Sequence, residues 1–286
     1  MFKLIAQEFV SQYSFLNLFN FITFRVGASI LTSLFFSLIF GQFIINKLSL
    51  VQPEGQPIRK DGPETHIIQK AGTPTMGGVL IILSILISSI LWSDLHNNFL
   101  WIGLISLLIF GIIGFIDDFK KIKSNSSSGL KGTTRIVLQL FFALIISLVI
   151  LYILDDKIDT SIAFPFFKNL IINFGYFYLV ISLFIIVGSA NAVNLTDGLD
   201  GLAIVPVMIV AMTFAFIAYV TGNIIFSDYL LINYIAGTGE LSVLCGALIG
   251  SSLGFLWFNA PPAKVFMGDT GSLALGATIG SIAIMV

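Results

Sequence analysis

Residues 104–121 read LISLLIFGIIGFIDDFKK, a long apolar run that ends abruptly in two adjacent carboxylates, Asp117 and Asp118, followed by Lys120 and Lys121. An apolar stretch of this kind, apolar on every side rather than on alternate residues, is a helix built for hydrocarbon. Carboxylates at the lip of such a layer are expensive to draw inward, so their characteristic use is to hold a cation or a proton. On its own the pair also fits a solvated helix end, with Asp117 and Lys121 as an i,i+4 ion pair. Its neighbours along the chain decide between the two readings.

The 286 residues are 57% hydrophobic and 10% charged, whereas soluble domains carry roughly 25% charged residues. A polytopic membrane protein is therefore expected. Apolar runs long enough to span a bilayer lie at 26–46, 76–92, 99–116, 136–154, 170–188, 202–220 and 241–258. An eighth begins at Ser272, and the sequence ends at Val286. The expectation is an all-α integral membrane bundle of seven full spans plus a truncated eighth, a single catalytic transmembrane domain over 1–286. The runs lack the roughly ten-residue alternating segments of a β-barrel. Cys245 is the only cysteine and lies within an apolar run, so neither a disulfide framework nor a thiolate metal site is available. Residues 1–21 lack the pattern of a cleaved signal and read as an aromatic-rich interfacial segment.

Lys and Arg are distributed unevenly between the two ends of these spans. The loops 47–75, 117–135, 189–201 and 259–271 contain Lys47, Arg59, Lys60, Lys70, Lys120, Lys121, Lys123, Lys131, Arg135 and Lys264, against Lys3, Lys157 and Lys168 at the other end. The richer side is expected to be cytoplasmic and the N-terminus extracytoplasmic. Arg25 belongs to neither set and reads as a snorkelling anchor.

Four compact motifs share the basic side: KAGTPTMGG (70–78), DDFKK (117–121), NAVNLTDGLDG (191–201) and NAPPAKVFMGDTG (259–271). The loops of the opposite side, around Asp94, His96, Asp155, Asp228 and Glu240, show no comparable pattern and read as solvated connections. In the first motif, Lys70 with the amides near Gly72, Gly77 and Gly78 suits an anion. In the third, Asp197 and Asp200 would share a face if they opened a helix. In the fourth, Gly268 to Gly271 would begin a helix whose free amides favour an anion, with Asp269 able to hold a metal or simply to cap. No Walker loop or dinucleotide fingerprint occurs. Clustered Asp carboxylates are hard ligands suited to Mg²⁺ bridging to phosphates. Lys70, Lys121 and Lys131 would neutralise phosphate charge. The implied chemistry is phosphoryl transfer at a membrane surface.

With these motifs in this order and on one side, the chain resembles the polyprenyl-phosphate N-acetylhexosamine-1-phosphate transferases over essentially its whole length. The form of residues 70–78 favours the muramoyl-pentapeptide branch over the N-acetylglucosamine and teichoic-acid branches. The resemblance implies transfer of phospho-MurNAc-pentapeptide from UDP-MurNAc-pentapeptide to undecaprenyl phosphate, giving lipid I and UMP, in the bacterial cytoplasmic membrane with the site on its cytoplasmic face. It implies Mg²⁺ as cofactor, held by Asp269 and Asp117, and no nucleic-acid partner. Asp117 and Asp118 would carry the reacting centre together with Asp269, with Asp117 favoured to deprotonate the lipid phosphate; two adjacent carboxylates titrate as a pair. Lys70, Asn194, Asp197 and Phe266 resemble the uridine-diphosphate site, Phe266 stacking on uracil. Thr75, Lys121, Lys131, Asn191, Asp200 and Asn259 would line the same cleft. The family continues into further helices with a His-rich loop, absent from this sequence, so a truncated or partial chain, inactive or nearly so, is expected. Two alternatives stand: a UDP-N-acetylglucosamine relative and, more remotely, a transporter. A transporter would place charged groups at mid-depth, where none of these runs has Asp, Glu, Lys or His. Gly246, Gly250 and Gly254 form a repeated GxxxG that joins helices either within one chain or in a homodimer.

Overall fold

The computed structural model describes residues 1–53, 55, 72–124, 129–153, 160–163 and 171–286. A short helix, α1 (Phe2–Phe9), and a 3₁₀ turn (Ser14–Asn20) lead into α2 (Ile22–Val51). Then follow α3 (Gly78–Trp92), α4 (Asn98–Lys123), α5 (Gly132–Ile153), α6 (Phe177–Thr196), α7 (Ile204–Thr221), α8 (Ile224–Leu230), α9 (Gly239–Asn259) and α10 (Gly268–Ala283). Among the described residues six helices, α2, α4, α5, α6, α7 and α9, are long and apolar enough to cross a membrane. The expected count of seven included residues 76–92, but there the helix is the 15-residue α3, about 22 Å long at 1.5 Å per residue. Its first residues are instead spent on the loop that packs over the N-terminus of α10.

A second correction falls on the run at 170–188. Its first residues pair as an antiparallel strand, Ile171–Asn173 against Ser161–Ala163, and α6 starts only at Phe177. The cause is local. The Asn173 side chain accepts from Gly175 N–H and from Thr160 Oγ1, both at 2.8 Å, and Gly175 takes φ +51°. An Asx-type turn with a left-handed glycine stops a helix from extending back through it.

α9 is the axis of the bundle and is buried along nearly all of its length. Its glycines face α2: a methyl at Gly250 would collide with the Ile30 carbonyl oxygen and Ser33 Oγ, and one at Gly254 with Ser37. The GxxxG repeat thus closes an interface within one chain. Serine hydroxyls tie α2 to both neighbours, Ser29 Oγ to Val243 O of α9 at 3.0 Å, and Ser29 Oγ to Ser88 Oγ at 2.9 Å and Ser37 Oγ to Ser84 Oγ at 2.8 Å across to α3. Between apolar helices, close backbone approach and such hydrogen bonds provide the cohesion that hydrophobic burial provides in water.

Arg25 is not a snorkelling anchor. It is fully buried, and its Nη1 and Nη2 each lie 2.6 Å from a carboxylate oxygen of Glu240 at the start of α9. Glu240, expected in a solvated loop, also accepts from Asp94 N–H at 2.9 Å and faces Lys3 of α1. The guanidinium stays inside because a bidentate carboxylate satisfies its fork there.

Candidate active site

The functional end of the bundle is built around the N-terminus of α10. Two loop segments converge on it in extended pairing: Phe266 N–H donates to Pro74 O, Gly77 N–H to Phe266 O and Gly78 N–H to Met267 O, each at 2.9 Å. Gln52, just past α2, clamps the first segment by accepting from Thr75 N–H at 2.9 Å and donating to Thr75 O at 3.3 Å. Gly78 abuts the backbone of Gly271, and Gly114 of α4 abuts the Asp269 carbonyl so closely that a methyl on either would collide. Gly268 has φ +73°, and a Cβ there would stand 2.6 Å from Asp118 Oδ2 and 2.7 Å from Thr75 Oγ1. Both demands are met only by glycine.

These contacts bring Asp117, Asp118 and Asp269 together: one carboxylate oxygen of each lies within 4.8 Å of the others. Asp117 and Asp118 sit on the last turns of α4 and are buried. Asp118 accepts from Asp269 N–H at 3.2 Å, Thr270 N–H at 2.9 Å and Thr270 Oγ1 at 2.7 Å. The anion expected at this helix N-terminus is thus the protein's own carboxylate, which caps α10 from a neighbouring helix. Asp117 is held differently. Its Oδ1 accepts Leu130 N–H at 2.7 Å, and its Oδ2 lies 2.6 Å from Lys121 Nζ.

Lys121 is no surface ornament. Its ammonium is half-buried, 2.8 Å from Asp269 Oδ2 and 3.8 Å from Asp118 Oδ1, so it sits among all three carboxylates. Arg135 of α5 adds a second cation, with Nη1 3.2 Å from Asp269 Oδ2. On the other side Asn194 Nδ2 donates to Asp269 Oδ1 at 2.6 Å and to Ser272 Oγ at 2.9 Å. Three carboxylates facing two cations leave one formal negative charge in a partly desolvated pocket, an arrangement suited to a further cation or to a proton in transfer.

Other residues expected at the site fall around this core. Thr75 is buried beside Gly268. Asn259 braces the segments around it: its Oδ1 accepts Gly201 N–H at 3.0 Å and its Nδ2 donates to Val265 O at 2.9 Å. Asp200 accepts Ala263 N–H at 3.3 Å, tying the third motif to the fourth, and Phe266 is half-buried where the fourth pairs with the first. Asp197 and Asp200 do not open a helix. α6 ends at Thr196, Asp197 is its C-cap, and Gly201 turns the chain with φ +73° before α7. Asn191 donates to Gln139 Oε1 of α5 at 2.7 Å, away from the three carboxylates. Lys131 is exposed and forms no ion pair among the described residues, whereas Arg135 reaches Asp269. Lys70 lies outside the described residues.

Sequence reasoning missed Arg135, Gln52, Gln139 and Ser272. Arg135 carried a faint signal, a basic residue four positions after Lys131 in the same loop-to-helix stretch.

The model of Glycosyl transferase family 4 matches residues 100–286, which include both aspartates of α4 and Asp269. The chain belongs to this family. Residues 70–82 of this family member also match Phospho-N-acetylmuramoyl-pentapeptide-transferase signature 1. A relative named Phospho-N-acetylmuramoyl-pentapeptide-transferase, from Pelagibacter ubique (strain HTCC1062), is 54% identical over 285 residues, covering 100% of this chain and 78% of the relative. The glycosyl transferase match spans the helices α4, α5, α6 and α10 that meet at the carboxylates.

Proposed function

We propose that this chain transfers phospho-MurNAc-pentapeptide from UDP-MurNAc-pentapeptide to undecaprenyl phosphate, releasing UMP and forming lipid I. The observation that carries the reading is the convergence of Asp117, Asp118 and Asp269 around Lys121 at one end of an apolar bundle, in a chain 54% identical to a relative of that name. A water-soluble nucleotide and a membrane-held phosphate meet only at such an end.

The three carboxylates have different tasks. Asp118 has both oxygens engaged by the first turn of α10 and therefore sets where Asp269 stands. Asp117 keeps Oδ2 toward Lys121 and the cluster, and is the carboxylate placed to accept the proton of the lipid phosphate. The deprotonated phosphate oxygen then attacks the sugar-bearing phosphorus, and the bond to UMP breaks. Lys121 and Arg135 supply fixed positive charge for the phosphates. The donor set fits Mg²⁺: hard carboxylate oxygens gathered within 4.8 Å and already sharing the charge of an ammonium. Asp269 and Asp117 would hold it. When bound, such an ion neutralises phosphate charge and orients the leaving group. Lys70, Asp197 and Phe266 are assigned to the uridine diphosphate, with Thr75, Asp200 and Asn259 shaping the cleft behind them, while Asn194 holds Asp269.

In this reading the carboxylate end faces the cytoplasm of a bacterial inner membrane and the N-terminus faces the other side. α3 and α10 join the six longer helices in the bundle. The distribution of Lys and Arg supports that orientation.

Membranes containing the chain, undecaprenyl phosphate and either UDP-MurNAc-pentapeptide or UDP-N-acetylglucosamine test the assignment by UMP release. Turnover of the muramoyl donor, abolished by chelation and restored by Mg²⁺, is the expected result. Turnover of only the N-acetylglucosamine donor would move the chain to the other branch.

A further inference from the structure

α5 buries one stripe, Gln139, Ala143, Ile146, Ser147 and Ile150. Gln139 is fully buried where the helix pattern calls for an apolar residue. Its Oε1 accepts from Asn191 Nδ2 at 2.7 Å, and the remaining N–H of Asn191 goes to Val187 O at 2.8 Å within α6. Gln139 Nε2 has no partner among the described residues. A buried amide that leaves a donor unmet is a poor choice for stability alone, since an apolar side chain of the same shape would serve the packing better.

The position of the pair gives it a purpose. On α5 it lies one turn from Arg135, which reaches Asp269 Oδ2; on α6 it lies one turn from Asn194, which reaches Asp269 Oδ1. The Gln139–Asn191 bond is a side-chain link between these two helices, one turn from the two residues that reach Asp269. It therefore fixes the rotation of α6 against α5, and with it the direction in which Asn194 points.

We propose that Gln139 is a positioning residue for the phosphosugar transfer: acting through Asn191, it aims Asn194 and Arg135 at Asp269 from opposite sides. This rests on the reading of Asp269 as part of the reacting centre. Asn191, by the same argument, holds α6 in register and does not touch the donor.

The test is a double-mutant cycle in the whole chain, with Gln139→Met, which keeps the side-chain length, Asn191→Leu, and the two combined. The readouts are kcat, KM for UDP-MurNAc-pentapeptide and thermal midpoint in detergent. Each single change is expected to lower kcat about tenfold while donor KM stays within about twofold. The combined variant should lose less than the product of the singles and melt above either one, because no amide is then left unpaired. Strictly multiplicative losses in kcat, or a raised donor KM in Asn191→Leu, would overturn the proposal. A wild-type chain that turns over neither nucleotide donor fails earlier and separately, by removing the functional reading before any variant is compared.

Discussion

At the scale of single residues, charge and hydrogen bonding divide the labour among groups that look alike in sequence. Asp117 and Asp118 are neighbours with identical chemistry and similar burial. One is spent on the backbone of α10 and the other faces an ammonium. Asp117→Asn and Asp269→Asn are each expected to lower UMP release by at least about 100-fold. Asp228→Asn, on the exposed face of the short helix α8, should leave it unchanged. Equal damage from Asp228→Asn would mean that the site has been put at the wrong end. Arg135→Gln removes a cation 3.2 Å from Asp269 and should lower kcat/KM by roughly tenfold, about 1.4 kcal/mol of transition-state stabilisation. Lys131→Gln should have little effect. The aspartates and Lys121 were legible because their residue types announce the chemistry, and Asn194 only through the family resemblance. Arg135 was not: Lys131 stands just before α5 and Arg135 in its first turn, four positions apart and alike in charge, and only the placement of α5 shows which of them reaches Asp269.

At the scale of elements, the N-terminus of α10 is the feature on which the site depends. Its first amides are capped by a carboxylate 151 and 152 residues away in sequence, and a local motif search sees only an Asp that might cap its own helix. Gly268→Ala should be severely damaging, because φ +73° disfavours any side chain and a Cβ would press on Asp118 Oδ2. Thr270→Val, which removes only the hydroxyl bond to Asp118, should cost about 1 kcal/mol of stability, with Thr270→Ser close to wild type. Melting curves of the three variants check the order: Gly268→Ala lowest, then Thr270→Val, then Thr270→Ser. If Gly268→Ala melted like wild type, the close approach of α4 to α10 would be wrong. Element existence was readable from apolar run length, and six of the seven expected spans appear as long helices. Boundaries were less so. The start of α6 depends on an Asx turn at Asn173 and the start of α3 on pairing between residues 74–78 and 266–267, neither of which apolar content records.

At the scale of the whole molecule, α2 connects two polar centres that lie at opposite ends of the bundle. Gln52, beyond its last turn, clamps Thr75 beside the carboxylates; Arg25, in its first turn, is locked to Glu240 of α9. The separation along the helix is about 40 Å at 1.5 Å per residue. No sequence pattern links residues 215 positions apart, which is why Arg25 read as an anchor and Glu240 as part of a loop. The pair gains from bidentate geometry and from further contacts to Trp92 O and Asp94 N–H, yet burying two charges is costly, so its net worth lies in what happens when it is broken. Glu240→Gln leaves the guanidinium without its counter-charge in a buried site and should destabilise the protein by about 3–5 kcal/mol. Replacing both partners, Arg25→Met with Glu240→Leu, removes the unpaired charge and should recover most of that loss. Thermal unfolding in detergent, followed by the loss of helical circular dichroism, separates the cases: Glu240→Gln should melt well below wild type and the double variant between them. A double variant melting below Glu240→Gln would show that the ion pair stabilises beyond the reach of apolar packing, and that Lys3 and Asp94, left facing each other across the gap, depend on it to hold α1 in place.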